Sequence, residues 1–233
     1  MSARRLNIAV ILAGGSGHRI GGVLPKQFLE INGRTIIEYS IDAFEKNPGI
    51  DEIAVVINKG FVSEMNKIVE SNSWTKLRKI LNGGDERSDS SISAIRAYEG
   101  VDCNLIFHDA VRPMVSQRII DDVVAALQNY GAVAVSVPST DTVVEVDKSG
   151  HFIGRIPSRS MLRCQQTPQG FLYGTIAEAY KLALEDPCFV ATDDCGVVAR
   201  YLPDERIFIV DGEDSNIKVT YKKDLKIVEV LMK

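Results

Sequence analysis

Residues 7–26 read N-I-A-V-I-L-A-G-G-S-G-H-R-I-G-G-V-L-P-K, an apolar run that stops abruptly at a cluster of glycines. A short run of Ile, Val, Ala and Leu is typical of a buried strand. The glycines beyond it allow the backbone to turn sharply and to bring its N–H groups close to an oxyanion. Arg19 and Lys26 follow, and their charges can neutralise a phosphate chain. The stretch therefore predicts a first strand that ends in a loop suited to a nucleoside triphosphate.

The glycine loop differs from two common phosphate-binding motifs. Walker A ends in Gly-Lys-Ser/Thr, and no such tripeptide follows Gly17. The dinucleotide fingerprint G-x-G-x-x-G begins correctly at Gly15 and Gly17, but Ile20 occupies the position of its third glycine. A purely structural glycine turn is the alternative, although such a turn has no need of two cations. The loop thus favours triphosphate binding outside both of these motif classes.

The composition is that of one α/β domain, which we expect to span residues 1–233. A chain of 233 residues with 45% hydrophobic residues is long enough to bury a sizeable core. Its net charge of −4 argues against a general nucleic-acid binder. Four cysteines without a C-x-x-C pair favour a reduced, cytoplasmic protein without a zinc site. No apolar run approaches the ~20 residues of a membrane span, so we expect no membrane partner.

Strand-like and helix-like patterns alternate along the first half of the chain. Runs rich in Val and Ile predict buried strands over Asn7–Leu12, Glu52–Ile57, Leu105–His108 and Ala132–Val137. Apolar residues at helical spacing predict helices over Thr35–Glu45 and Ser116–Asn129. This alternation predicts an α/β fold with a Rossmann-like, doubly wound and mainly parallel sheet. Ligands would bind at the carboxyl ends of its strands.

The pattern changes after Pro138. Residues 142–146 and 152–156 have strand character and flank the turn sequence Asp-Lys-Ser-Gly at 147–150. We therefore expect a protruding β-hairpin arm at about residues 139–165. Such an arm is often an oligomerisation element, but a solvent-facing edge hairpin has the same pattern.

Two turn segments carry candidate functional residues. Gly83, Gly84, Asp85 and Ser90 lie at the start of a predicted helix, where they either cap the helix or approach a base or sugar edge. Asp109 ends a buried strand, three residues before Arg112. The two form an internal ion pair, or Asp109 meets a ribose hydroxyl or a phosphate-bound Mg²⁺. We expect a structural role for the neighbouring His108.

Two further segments carry basic residues. Arg159 lies among arginines that precede the polar run Gln165–Gln169, which predicts a shaped loop, although a solvated face is the alternative for the arginines. Lys218 lies within Asn216–Thr220, which predicts a short apolar strand. A lysine there is either an edge-strand charge or a phosphate ligand.

Seven motifs follow one another in the order seen in one family of cytidylyltransferases. They are L-A-G-G-S-G-H-R with L-P-K-Q-F, G-G-D-E-R-S-D-S, H-D-A-V-R-P, D-T-V-V, I-P-S-R to Q-T-P-Q, T-D-D and N-I-K-V-T. From Asn7 to Leu231 the chain resembles this family, which comprises 2-C-methyl-D-erythritol 4-phosphate cytidylyltransferase and D-ribitol 5-phosphate cytidylyltransferase. The resemblance implies transfer of CMP from CTP to a small polyol phosphate, with release of pyrophosphate and with Mg²⁺ or another divalent cation as cofactor.

The resemblance also implies roles for individual residues. The catalytic group, which stabilises triphosphate charge and grips the acceptor phosphate, would be Arg19, Lys26, Arg159 and Lys218. CTP would be bound by Leu12, Ala13, Gly14, Gly15, Ser16, Gly17, Gly84, Asp85, Ser90 and Asp109. The acceptor would be bound by Arg112, Thr142, Arg159, Thr167, Thr192 and Lys218. Asp109 would also be the one possible protein ligand of a Mg²⁺ held mainly by the CTP phosphates.

The same resemblance implies a homodimer, because in this family the hairpin arm docks on a second subunit and the arginine matching Arg159 acts across the interface. The choice of acceptor rests on smaller details. Four features resemble the ribitol branch: Leu12-Ala13-Gly14-Gly15, the valine in His108–Pro113, the Ile-Pro-Ser-Arg segment and Ser215-Asn216. Thr192-Asp193-Asp194 and the compact arm resemble the methylerythritol branch. We therefore favour D-ribitol 5-phosphate slightly, with 2-C-methyl-D-erythritol 4-phosphate as the alternative.

Two other classes of protein share part of this sequence pattern. A Rossmann-type oxidoreductase needs an acidic residue after its second strand, where this chain has Asn58 and Lys59. A non-catalytic nucleotide-binding module would share the fold, but it would not need the full set of charged positions that this chain retains. The sequence therefore favours a cytidylyltransferase.

Overall fold

A central sheet with helices on both faces organises the chain in the computed structural model, which describes residues 4–15, 25–84, 86–191 and 193–232. The strands are β1 (Leu6–Ala13), β2 (Glu30–Ile31), β3 (Arg34–Thr35), β4 (Glu52–Ile57), β5 (Leu77–Asn82), β6 (Cys103–Asp109), β7 (Ala132–Pro138), β8 (Glu145–Val146), β9 (Ile153–Arg155), β10 (Arg163–Leu172) and β11 (Ile207–Asp211). The α-helices are α1 (Ile36–Glu45), α2 (Val62–Glu70), α3 (Arg87–Ala97), α4 (Gln117–Ala126), α5 (Tyr173–Glu185), α6 (Asp194–Tyr201) and α7 (Lys222–Leu231).

The main sheet has seven strands within the described ranges, in the order β11-β7-β10-β6-β1-β4-β5. The pairs β1–β4, β1–β6, β4–β5 and β7–β11 are parallel, and only β10 runs antiparallel to its neighbours β6 and β7. The predicted α/β fold with a mainly parallel sheet is therefore confirmed. Strand order reverses between β1 and β6, and in such sheets ligands bind at the reversal point.

The core lies on both faces of β1, which explains the unbroken apolar run in its sequence. Ile8 and Val10 pack on one face with residues of α3, α5 and α6, while Ala9 and Ile11 pack on the other with residues of α1, α2 and α4. All four side chains are fully buried. Both faces of this strand are thereby packed against helices, which fixes where the strand ends, just before Gly14 and Gly15.

The two predicted helices are found as α1 and α4, and α4 ends at Ala126 rather than at the predicted Asn129. Thr35 precedes α1 and forms a capping box with Glu38, whose carboxylate accepts hydrogen bonds from the Thr35 backbone and hydroxyl. Ser116 precedes α4, and its hydroxyl accepts a hydrogen bond from the backbone of Ile119. The four predicted buried strands are also found, as β1, β4, β6 and β7, and each differs from its predicted bounds by no more than two residues at either end.

Two local predictions were wrong. The run Gln165–Gln169 is part of β10 rather than a loop, because it pairs with β7 on both sides of a register shift between Gln166 and Gln169. Conversely, Asn216–Thr220 is not a strand, and Lys218 lies in an irregular segment. A backbone bond from Val219 to the carbonyl of Val111 and the buried side chain of Asn216 hold that segment in place.

The predicted arm is present as a short antiparallel pair, β8 and β9, which is separate from the main sheet. Its paired region is shorter than the sequence predicted, and it leaves large apolar side chains exposed. Phe152 is 71% exposed and Ile153 is 62% exposed. None of the helices described here is long and apolar enough to cross a membrane.

Candidate active site

A cavity of about 220 Å³ lies at the reversal point of the sheet, at the carboxyl ends of β1 and β6. Its walls come from the end of β1 and the loop after it, the start of α3, the end of β6 and the segment that contains Lys218. The predicted residues that line it are Leu12, Ala13, Gly14, Gly15, Lys26, Ser90, Asp109 and Lys218. The structure thus brings most of the described nucleotide-binding candidates together.

Gly14 packs directly against the side chain of Ser90 at this cavity. A Cβ atom added at Gly14 would lie 2.5 Å from the Ser90 Oγ, and one added at Gly83 would lie 2.8 Å from the same atom. Only glycine allows so close an approach between two backbone turns and a side chain. The Ser90 Oγ is buried and has no hydrogen-bond partner among the described residues. It is therefore available to bond a ligand in the cavity.

Gln27 bonds the backbone at the end of β1, a contact that the sequence did not reveal. Its Nε2 donates to the carbonyl oxygens of Ala13 at 2.6 Å and Gly15 at 3.3 Å, and the side chain is buried. It follows Lys26, whose Nζ lies 3.4 Å from the carbonyl oxygen of Val219. Gln27 thereby fixes the turn at the end of β1 and the position of its lysine neighbour.

Asp109 lies at the centre of a cluster of cations. Its carboxylate is 2.9 Å from the Nζ of Lys218, 3.5 Å from the Nε of Arg112 and 3.7 Å from the Nε of Arg87. Burial alone would raise the pKa of Asp109, but the three cations outweigh it and hold that pKa well below its ordinary range. Asp109 is therefore an anion, and the cluster carries an excess of positive charge suited to phosphate.

Arg87 is a second residue that the sequence analysis did not single out. Its Nη1 lies 2.6 Å from the fully buried carboxylate of Asp194, which also accepts a hydrogen bond from the hydroxyl of Tyr180 at 2.7 Å. Although burial opposes it, the charges of Asp194 and Asp109 raise the pKa of Arg87. Because its salt-bridge partner is 107 residues away in the chain, the sequence around Arg87 does not indicate this contact.

Arg112 and Thr167 lie behind Asp109 instead of lining the cavity. The Nη1 of Arg112 donates to the carbonyl oxygen of Asn216 at 2.7 Å, so it holds the segment that leads to Lys218. The hydroxyl of Thr167 lies 3.1 Å from the Nδ1 of His108 and accepts a hydrogen bond from the backbone of Asp109 at 3.0 Å. Burial lowers the pKa of His108 to about 4, so the imidazole is neutral.

The remaining predicted residues that the structure describes lie elsewhere. Gly84 lines a neighbouring cavity of about 370 Å³ together with Lys59, Asn82 and Arg96. Thr142 and Arg159 are exposed on the arm, where the Nη1 of Arg159 donates to the carbonyl oxygen of Thr140 at 3.3 Å. Five predicted positions fall outside the described residues: Ser16, Gly17, Arg19, Asp85 and Thr192.

The donor set fits a divalent cation only in part. No group of three His, Cys, Asp or Glu residues among those described is placed to hold a metal ion. Asp109 can offer one carboxylate, and Mg²⁺ commonly takes one or two protein carboxylates and completes its shell with phosphate oxygens and water. A Mg²⁺ at this site would therefore arrive with its nucleotide.

Comparisons with known proteins identify similar sequences and a similar fold. The family model described as "IspD: 2-C-methyl-D-erythritol 4-phosphate cytidylyltransferase" matches residues 7–233. The 2-C-methyl-D-erythritol 4-phosphate cytidylyltransferase of Thermobifida fusca (strain YX) is 48% identical over 230 residues, covering 97% of this chain and 92% of that protein. The solved structure of 4-diphosphocytidyl-2C-methyl-D-erythritol synthase from Anaerococcus prevotii DSM 20548 superposes with a TM-score of 0.87 at 29% identity, covering 98% and 96% of the two chains.

A relative with a different acceptor is also similar. The bifunctional ribulose 5-phosphate reductase/CDP-ribitol pyrophosphorylase Bcs1 of Haemophilus influenzae is 41% identical over 227 residues. The match covers 97% of this chain but only 48% of Bcs1, so the chain spans about half the length of that protein. The two acceptor branches are therefore both represented among the similar proteins.

Proposed function

We propose that the chain, which belongs to the IspD family of CTP-dependent cytidylyltransferases, transfers CMP to 2-C-methyl-D-erythritol 4-phosphate. One observation carries the proposal: the glycine turn, the unbonded hydroxyl of Ser90 and the cations around Asp109 meet at one cavity. Such a cavity provides a neutral part for a base and a charged part for phosphates. The product would be the CDP-polyol, and pyrophosphate would leave.

The identity of the acceptor is where the motif details and the comparisons differ. The motifs slightly favoured D-ribitol 5-phosphate, whereas the higher identity belongs to a methylerythritol phosphate enzyme that matches this chain over almost its whole length, 48% against 41%. The comparisons therefore support the alternative better than the first expectation. D-Ribitol 5-phosphate stays the second candidate, because 41% identity extends over 97% of this chain.

The nucleotide would lie across the ends of β1 and β6. The backbone of Leu12–Gly15 and the hydroxyl of Ser90 would contact the nucleoside, since both line the cavity and the hydroxyl has no bond within the described residues. Lys26 would face the triphosphate, and Asp109 would meet the ribose or a magnesium ion that accompanies the phosphates. When bound, that ion would supply positive charge for the departing pyrophosphate.

The chemistry requires alignment and charge rather than a general base. A phosphate monoester is mostly dianionic at neutral pH, because its second pKa is about 6, and it can attack the α-phosphorus of CTP directly. Lys218 lies at the rim of the cavity, is partly exposed and can bind the incoming phosphate. The P–O bond to the pyrophosphate breaks as the new P–O bond forms, so no covalent enzyme intermediate is needed.

The arm would complete the site of a second subunit. Arg159 and Thr142 match acceptor-binding positions of the family, yet in this chain they lie on the arm and do not line the cavity. The exposed apolar side chains of β8, β9 and the turn between them would be buried by docking on a partner copy. We infer a homodimer in which each arm delivers Arg159 to the neighbouring cavity.

A steady-state assay of pyrophosphate release tests the proposal. The purified chain is supplied with CTP and Mg²⁺ and, separately, with 2-C-methyl-D-erythritol 4-phosphate or D-ribitol 5-phosphate. We expect a higher kcat/KM for the methylerythritol acceptor. A higher value for ribitol 5-phosphate would overturn the acceptor assignment, and release with neither acceptor in a folded protein that binds CTP would overturn the proposed reaction.

A further inference from the structure

The hydroxyl of Thr167 is engaged inside the protein. Its Oγ1 accepts a hydrogen bond from the backbone N–H of Asp109 at 3.0 Å and lies 3.1 Å from the Nδ1 of His108. Both Thr167 and His108 are buried, and neither lines the cavity. The resemblance implies that Thr167 binds the acceptor, and in this structure its hydroxyl contacts His108 and Asp109 at the end of β6.

The tautomer of His108 follows from its two partners. Its Nε2 lies 3.1 Å from the carbonyl oxygen of Arg112, which can only accept, so Nε2 carries the proton. Nδ1 is then an acceptor, and the hydroxyl of Thr167 donates to it while accepting from Asp109. One imidazole and one hydroxyl thus connect the backbones on both sides of the turn formed by Asp109 and Arg112.

The register of the sheet explains why a side chain is needed here. The ladder between β6 and β10 runs from Asn104 opposite Leu172 to Phe107 opposite Gln169. Two residues further along each strand, Asp109 would face Thr167, but the ladder has ended and β10 shifts its register between Gln166 and Gln169. The Asp109 N–H therefore bonds the Thr167 hydroxyl instead of a backbone carbonyl.

We propose that His108 and Thr167 are positioning residues, which fix the carboxylate of Asp109 and the guanidinium of Arg112 in the geometry that binds Mg²⁺-CTP. The Thr167 hydroxyl bonds the backbone N–H of Asp109 and Lys218 bonds its carboxylate, so the position of Asp109 depends on both. Arg112 is held at its backbone by His108 and at its side chain by Asn216. Small displacements of such groups are costly, since a shift of about 1 Å can reduce a rate by about 100-fold.

A nuclear magnetic resonance measurement on the substrate-free protein tests the hydrogen bonds directly. Long-range ¹H–¹⁵N spectra separate protonated from unprotonated imidazole nitrogens, and the chain contains only three histidines. We expect the His108 signal to show the proton on Nε2 and an unprotonated Nδ1 that accepts from Thr167. A proton on Nδ1 with an unprotonated Nε2 would overturn the proposal. This measurement does not depend on the identity of the acceptor or on catalysis.

A set of variants tests the consequence for the site. Thr167→Val removes the hydroxyl but keeps the shape, and Thr167→Ser restores a hydroxyl. We expect Thr167→Val to shift the Nδ1 resonance and to lower kcat/KM for CTP by about tenfold or more, with a smaller change in KM for the acceptor. Thr167→Ser should recover most of the lost signal and activity.

The matched control lies on β6, near the end of that strand opposite to Asp109. Asn104→Ala removes a buried hydrogen bond to Asn7, so it lowers stability without touching the site. If Asn104→Ala and Thr167→Val lower kcat/KM alike, the role of Thr167 is merely structural and the proposal fails. A rise confined to the KM of the acceptor in Thr167→Val would also overturn it, because that result indicates direct contact with the acceptor.

Discussion

The Nζ of Lys218 lies 2.9 Å from the Oδ2 of Asp109 and so joins the irregular segment after β11 to the end of β6. The lysine side chain is 43% exposed and the aspartate side chain is 10% exposed, so the pair spans from the cavity wall to its rim. A bound phosphate would share the ammonium with Asp109. In the proposed function, the pair would therefore set the position from which an acceptor phosphate is held.

Replacing Lys218 should affect catalysis more than folding. Lys218→Ala removes one donor to the acceptor phosphate, and the loss of one such donor commonly costs about 100- to 1,000-fold in rate. We expect kcat/KM for the acceptor to fall within that range, while Arg87 and Arg112 still balance Asp109 and keep the chain folded. Steady-state kinetics and thermal unfolding measure the two effects. A variant with wild-type kcat/KM would contradict the role given to Lys218.

Replacing Gly14 should disturb the loop through one contact. The Cβ of Gly14→Ala would lie 2.5 Å from the Ser90 Oγ, so we expect a loss of about 1–3 kcal/mol in unfolding free energy and weaker CTP binding. The double variant Gly14→Ala/Ser90→Ala should recover stability but not CTP affinity, as measured by denaturant unfolding and calorimetric titration. Gly174→Ala is the control, since no described atom lies within 4 Å of its added Cβ. Equal stability losses at Gly14 and Gly174 would contradict this explanation.

The salt bridge between Arg87 and Asp194 should be needed for stability as a pair. Arg87→Met leaves the fully buried carboxylate of Asp194 without its cation, and removal of one partner of a buried pair costs about 3–5 kcal/mol. Arg87→Met/Asp194→Asn should cost less than the sum of the single variants. A double-mutant cycle in denaturant unfolding measures this coupling, and additive losses would argue against it.

The arm should control the oligomeric state. Phe152→Glu places a charge among the exposed apolar residues of the arm, so we expect a dimeric wild type, a monomeric variant and lower activity in the monomer. Sedimentation velocity and the pyrophosphate assay give the two readouts. Val230→Glu, at an exposed apolar position on α7, should leave the dimer intact. A wild type that is fully active as a monomer would refute the shared site.

The parts of the fold that follow from local pattern were predictable from the sequence. β1, β4 and β7 have continuous apolar runs because both of their faces are buried. β10 escaped prediction because Gln166, Thr167 and Gln169 are buried by hydrogen bonds to residues far away in the chain, not by apolar contact. Polar residues in a strand interior give no periodic signal.

As with the fold, only those site residues that lie within a local sequence motif could be predicted. Residues within one motif, such as Gly14 or Asp109, could be proposed as site residues from their neighbours in the sequence. Arg87 and Gln27 could not, because each acts through contacts that exist only in the folded chain. The placement of Thr167 behind Asp109 likewise depends on where the ladder between β6 and β10 ends.

The acceptor assignment is the central claim, and a direct competition tests it best. Equal concentrations of 2-C-methyl-D-erythritol 4-phosphate and D-ribitol 5-phosphate are incubated with limiting CTP, Mg²⁺ and the enzyme, and phosphorus resonance spectra resolve the two CDP-polyols. The ratio of products gives the ratio of the two kcat/KM values. We predict that the methylerythritol product dominates by at least about tenfold, which is what a single methyl contact is worth at its weakest. A mixture in which CDP-ribitol dominates would contradict the account.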